Sequence, residues 1–182
     1  MNWSELVRNE YWSTDLDQLL IKLMVAALLG GIIGLDREVK DRPAGLRTHM
    51  LTALAAATFT VLTFEIAEMA SRLERPSTDP IRVIEAVTAG VAFLAAGTII
   101  RSGGQVEGLT TGAGMWMAGA VGIACGAGRL MLALVGTAIA AIILIALRWV
   151  ERLLPDSRET AGKPGGEAAG REGDRREGRG DG

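Results

Sequence analysis

A chain of 182 residues with a formal net charge of −2 carries no overall field that would draw it to nucleic acid or to an acidic substrate. Its residues are 49% apolar and 22% charged, and the charges gather in a few places, leaving long stretches with none. A soluble helix needs a polar face, so those stretches exclude a water-soluble domain for most of the length.

Residues 1–15 set Trp3, Leu6, Val7 and Tyr11 at helical spacing with Trp12 beside them, as in a short amphipathic segment lying among lipid headgroups. There is no basic n-region, and Asp15 and Asp17 stand directly before the first apolar run. No cleavable signal peptide is expected, and the first helix should stay in the mature protein. Residues 16–154 then hold five apolar runs: 19–35 interrupted by Lys22, 50–67 by Glu65, 84–100 by Glu85, and 109–127 and 130–147 with no acidic or basic side chain. At ~1.5 Å per residue, such runs cross a hydrocarbon core of ~30 Å with modest thinning or interfacial help. The three interruptions lie near run ends, where a long side chain reaches the headgroups.

The predicted fold is therefore all-α, a polytopic membrane bundle of about five transmembrane helices. Tight connections at 102–104 and 126–129 make consecutive helices antiparallel. Cys125, the single cysteine, reads as a small hydrophobe in an apolar run. Residues 155–182 turn to Gly, Arg, Glu, Asp and Ala, too little apolar area to offset ordering entropy, so a disordered tail is expected there.

With five spans, the first and third loops and the C-terminus share one side. Their flanks hold Arg37, Lys40, Arg42, Arg47, Arg101, Arg148, Arg152 and Arg158, against Arg8, Arg72, Arg75, Arg82 and Arg129 on the other. The bias places the N-terminus outside and the C-terminus in the cytoplasm.

Thr110, Gly114, Ala118, Gly122 and Gly126 recur every four residues on the fourth helix. Such a small-residue face lets backbones approach where lipid supplies no hydrophobic drive. Gly30 and Gly34 on the first helix offer a matching surface, and the fourth helix is expected to pack closely, either within the bundle or against a partner or a second copy.

The richest polar cluster is the segment 36–49, with Asp36, Arg37, Glu38, Arg42, Pro43, Gly45, Arg47, Thr48 and His49. Two readings stay open for it: a functional charge network at the cytoplasmic mouth, or positive-inside anchoring with a salt-bridged turn. His49, the only histidine, lacks companions for a metal site and is expected to cap or hydrogen-bond at the interface. Asp79 suits a helix N-cap and Pro80 the first helical position, whose amide is unpaired anyway. Glu65 and Glu85, at the outer ends of consecutive helices, could face one another and hold a cation such as Mg²⁺ or share a proton. No nucleophile–base pair and no phosphate loop appears, so neither an enzyme nor a cofactor is expected.

The string Gly34-Leu35-Asp36-Arg37-Glu38 followed by Arg42-Pro43-Ala44-Gly45-Leu46-Arg47-Thr48-His49-Met50 resembles the MgtC/SapB family of bacterial inner-membrane proteins. Asp79-Pro80, the run from Gly90 to Arg101 and Val106-Glu107-Gly108-Leu109-Thr110-Thr111 are similar to that family in order and spacing. The resemblance covers residues 16–147. It departs at Ala92 and Ala95, where members often have glycine, and in the tail, where many members carry an ACT-like domain. The resemblance implies a link to growth at low magnesium and to virulence. Members have been viewed as magnesium transporters or as regulators of other membrane machines such as the F-type ATP synthase. Few polar groups fall inside the five runs, which leans the expectation toward the regulator, with a membrane-protein partner and cation transport as the alternative.

Overall fold

The computed structural model describes residues 15–40, 42, 44–73, 79, 81–102 and 105–153. The expectations for the N-terminal segment (1–14), for Pro43 and Pro80 and for the tail fall outside the described residues. Five helices and one short hairpin follow in order: α1 (Leu16–Val39), α2 (Leu46–Arg72), α3 (Ile81–Gly97), β1 (Ile100–Ser102), β2 (Gln105–Glu107), α4 (Leu109–Gly126) and α5 (Leu130–Leu153). Of the described residues, those up to Leu147 belong to one compact unit and 148–153 to a second.

The all-α membrane bundle expected from the sequence is what forms. α1, α2 and α4 are each long and apolar enough to cross a membrane, and α5 contributes a shorter apolar helix over Leu130–Ala146. α3, at 17 residues, is about 25 Å long. Large apolar side chains such as Leu28, Phe59, Phe93 and Ile142 face outward, while the centre is made of Ala26, Ala53, Ala57, Ala118, Val121 and Cys125. Lipid tails are as apolar as leucine, so helices gain most by bringing small side chains and backbones together.

α2 lies at the middle, with α1 and α4 both packed along it, while α3 rests mainly on α4. From α5, Ala133 joins the buried cluster. The hydroxyls of Thr52, Thr58, Thr60 and Thr63 donate to the carbonyls four residues back on α2 at 2.8 to 2.9 Å. Each is satisfied within its own helix and asks nothing of the lipid.

The polar segment 36–49 is less of a loop than the sequence suggests. α1 runs on through Asp36, Arg37 and Glu38, and α2 already includes Arg47, Thr48 and His49. The charges sustain the last turn of α1: Lys40 pairs with Asp36 one turn back at 3.5 Å, and Arg37 is a cation at a helix C-terminus.

The connection after α3 also differs from a plain tight turn. Gly97 ends the helix and Ile100 passes into a hairpin, with Ile100 opposite Glu107, Arg101 opposite Val106 and Ser102 opposite Gln105. Gly108 closes it at φ +88°, where a Cβ would overlap the Thr98 carbonyl oxygen. Between α4 and α5, Gly128 takes φ +72°. There the Arg129 amide donates to Ala124 at 2.8 Å and the Gly128 amide to Cys125 at 2.9 Å, a Schellman turn that satisfies the last carbonyls of α4.

Candidate functional site

The residues that give the chain its most specific sequence string converge on one side chain. His49, in the first turn of α2, is fully buried. Its Nδ1 lies 2.8 Å from the Gly45 carbonyl oxygen. A carbonyl can only accept, so Nδ1 carries the proton and, in the neutral ring, Nε2 presents a bare lone pair. Nε2 is buried and finds no hydrogen-bond partner among the described residues.

Glycines on two helices make room for this turn of α2. A Cβ on Gly30 would stand 2.6 Å from the His49 carbonyl oxygen, and one on Gly34 would stand 2.9 Å from the His49 Cβ. From α4, a Cβ on Gly114 would come within 2.8 Å of Nε2. The sequence expectation that His49 caps or hydrogen-bonds at the interface is met in the hydrogen bond and corrected in its place, since the side chain is fully buried. Gly30 and Gly34 let α1 close on the backbone and Cβ of His49, Gly114 lets α4 close over the ring, and the hydrogen bond to Gly45 runs inside the protein.

Charged groups cluster beside it. Arg37 is buried, its guanidinium bonded to the neighbouring Asp36 carboxylate, which Lys40 also approaches. The Arg37 Nε has no hydrogen-bond partner among the described residues. Glu38 turns the other way: its carboxylate accepts from the Leu46 amide at 2.9 Å. α2 has no acidic residue in its first turn and no side-chain cap of its own, so a carboxylate from α1 satisfies a free amide at the positive end of its dipole. Gly45 permits this, since a Cβ there would overlap the Glu38 carboxylate oxygen.

Arg42 reaches Glu107 on β2 at 3.5 Å, both side chains being exposed. That pair sets the first connection beside the hairpin, on one side of the bundle. Arg47 is exposed, and the half-buried Thr48 gives its carbonyl to Thr52.

The remaining sequence candidates lie elsewhere. Gly114, Ala118, Gly122 and Gly126 are buried, whereas Thr110, at the head of that ladder, is exposed. Their neighbour is not the Gly30 and Gly34 face. Both glycine sets are turned to α2, with Gly122 seated on Ala53 and Ala56 and Gly126 on Ala57 and Thr60. The buried positions of the α4 ladder are filled within the chain, so of the two readings the sequence left open it is packing within the bundle that these positions serve. Asp79 accepts from the Ile81 amide at 2.9 Å at the start of α3. Glu65 is half-buried and Glu85 exposed. Among the described residues no group of three or more His, Cys, Asp or Glu side chains could hold a metal ion.

Lys40, counted for orientation, and Glu107, part of the family-like string, were not taken from the sequence as site residues. The i,i+4 spacing of Asp36 and Lys40 carries a signal for the first. Nothing local carries one for Glu107, which meets Arg42 only through the fold.

The MgtC family model matches residues 23–153. Protein SapB of Bacillus subtilis is 36% identical over 148 residues, 81% of this chain and 63% of its own length. Protein MgtC of Brucella abortus is 41% identical over 129 residues, 71% of this chain and 49% of its own. The Escherichia coli protein named "Putative magnesium transporter YhiD" is 34% identical over 128 residues, 70% of this chain and 59% of its own. The chain thus spans about half to three-fifths of the length of these relatives. No solved structure matches it.

Proposed function

The chain belongs to the MgtC family, and from that premise we propose that it is a non-enzymatic regulator of another membrane machine, linked to growth at low magnesium or to virulence. Its seat is a bacterial inner membrane, with the N-terminus outside and the end of α5 in the cytoplasm. Reporter fusions after Arg101 and after Leu154 should both read cytoplasm, and one after Pro76 the outside. The arginine bias supports that orientation, and the Arg42–Glu107 pair supports a shared side for the first and third connections.

One observation carries the regulatory reading. Along the α2 seam, Gly122 and Gly126 sit directly on the backbone carbonyls of Ala53 and Ala57, while the charged groups gather at one end, around residues 36–49. A seam closed by backbone contact favours a rigid scaffold that presents a charged end to a partner over a hydrated ion path. The sensitive region is that charged end, above all Asp36, Arg37, Glu38, Arg42 and His49.

A second reading, a transporter of magnesium or another cation, is favoured by the name of the Escherichia coli relative and would use Glu65 and Glu85. The two part in one experiment: growth in limiting magnesium at matched expression, with ion flux in reconstituted vesicles. Glu65→Gln and Glu85→Gln should leave growth support intact if the chain regulates. Flux that either substitution abolishes would replace the regulator with the transporter.

A further inference from the structure

Five residues of α3 point away from the bundle, with no element against them among the described residues. The buried residues of this helix are Val91 and Ala95, which rest on Gly119 and Gly112 of α4. Successive residues turn by about 100°, so the opposite side is centred on Arg82 and Phe93, with Glu85 on one flank and Gly90 and Gly97 on the other. All five are exposed, Phe93 to 81%, and a Cβ at Gly90 or Gly97 would meet nothing within 4 Å. Arg82 and Glu85 have no ion-pair partner among the described residues. Three residues apart, they are separated by about 4.5 Å along the axis. Both signs of charge therefore stand within one turn of each other on the exposed side.

We propose that a second copy of this chain covers this face, α3 against α3 in a parallel two-fold contact, with Arg82 of each copy paired to Glu85 of the other. The charges select this occupant. A surface bearing one cation and one anion side by side is complementary to itself under a two-fold axis. Two copies inserted with the same topology bring their α3 helices together in parallel, so Arg82 of each copy lies about 4.5 Å along the axis from Glu85 of the other, within reach of the long arginine side chain. Headgroups and water can solvate the two charges singly and a partner of one sign pairs only one of them, whereas a second copy pairs both. Farther along the helix, the absent side chains at Gly90 and Gly97 let the backbones approach, with Phe93 of each copy filling the space between. This contact is independent of the regulatory reading, and its loss leaves that reading standing.

The test uses the full chain with Cys125→Ala as background, since Cys125 is buried and otherwise the single thiol. Gly90→Cys and Gly97→Cys should each cross-link to a dimer of the chain in native membranes under mild oxidation. Leu28→Cys on α1 and Ile142→Cys on α5, equally exposed, should not. Photobleaching counts in liposomes at falling protein density then give the dimer constant. Arg82→Glu should weaken the dimer by roughly tenfold or more, and adding Glu85→Arg should restore it to within about threefold.

Cross-links as strong at the control positions as on α3 would overturn the proposal. So would adducts to a different protein at Gly90→Cys, single-step bleaching at every density, or a double charge reversal that fails to recover. If Arg82→Glu does not accumulate, the cysteine pairs on an unaltered charge pattern decide the matter alone.

Discussion

Helices α3 and α4 pack against each other and both carry glycines, yet those glycines meet opposite surroundings. On α4, a Cβ at Gly122 would overlap the Ala53 carbonyl oxygen, and one at Gly126 would lie 2.6 Å from that of Ala57. On α3, Gly90 and Gly97 face open space. A small residue in a membrane helix permits close approach, and the fold decides whether anything approaches. The two helices differ likewise from the charged end of the core: Arg37 is buried and bonded to Asp36, whereas Arg82 is exposed.

The sharpest way to break this contrast is to fill one glycine of each kind. Gly122→Leu should destabilise the monomer by about 3 kcal/mol or more, because the new side chain enters space held by the α2 backbone. Gly90→Leu should change monomer stability by less than about 0.5 kcal/mol. Unfolding in mild detergent, below the concentration at which copies associate, reads both. Equal damage from the two substitutions would end the distinction.

Next in size is the buried ring. His49→Ala should cost about 2–4 kcal/mol through the cavity left between α1, α2 and α4. Gly114→Ala should cost about 1–3 kcal/mol by pressing a methyl on Nε2. The double variant should cost less than the sum, since the cavity accepts the methyl, and a double-mutant cycle in the same unfolding assay measures the difference.

The cap on α2 is smaller still. Glu38→Ala should lose about 1 kcal/mol, the usual size for an N-terminal cap. Gly45→Ala should lose about 1–3 kcal/mol in the wild-type background and less once Glu38 is shortened, because the methyl competes with that carboxylate for space. An additive pair would show that Gly45 serves some other need.

At the bottom of the scale, Arg42→Ala and Glu107→Ala should each shift stability by less than about 1 kcal/mol, an effect that shrinks as salt is raised. A larger shift would mean that the hairpin holds the bundle together rather than resting on it.

Much of the architecture was legible in the residues alone. Burial in lipid demands long uncharged runs whose backbone bonds close within each helix, and these appear at 109–127 and 130–147 without reference to any neighbour. The turn at Gly128 and the cap at Asp79 were also local matters, set by backbone conformation and the free amides of a helix end. Asp36, Arg37, Glu38, Gly45 and His49 stood out as a polar string for the same reason: charges beside an apolar run are conspicuous.

Their roles were not legible. Whether Glu38 joins a charge network or caps α2 depends on where α2 begins relative to the last turn of α1, eight residues away through a bend. Nor could a histidine near a helix end be assigned to the interface or the interior from its type, since the glycines that admit its backbone and its ring come from α1 and α4. The four-residue ladder on α4 announced a close contact without naming the helix that would fill it. Composition and periodicity therefore established a membrane bundle and the residues able to pack tightly. Which of them touch was decided by how α1 and α4 lie along α2, because a crossing of two helices belongs to neither sequence segment alone.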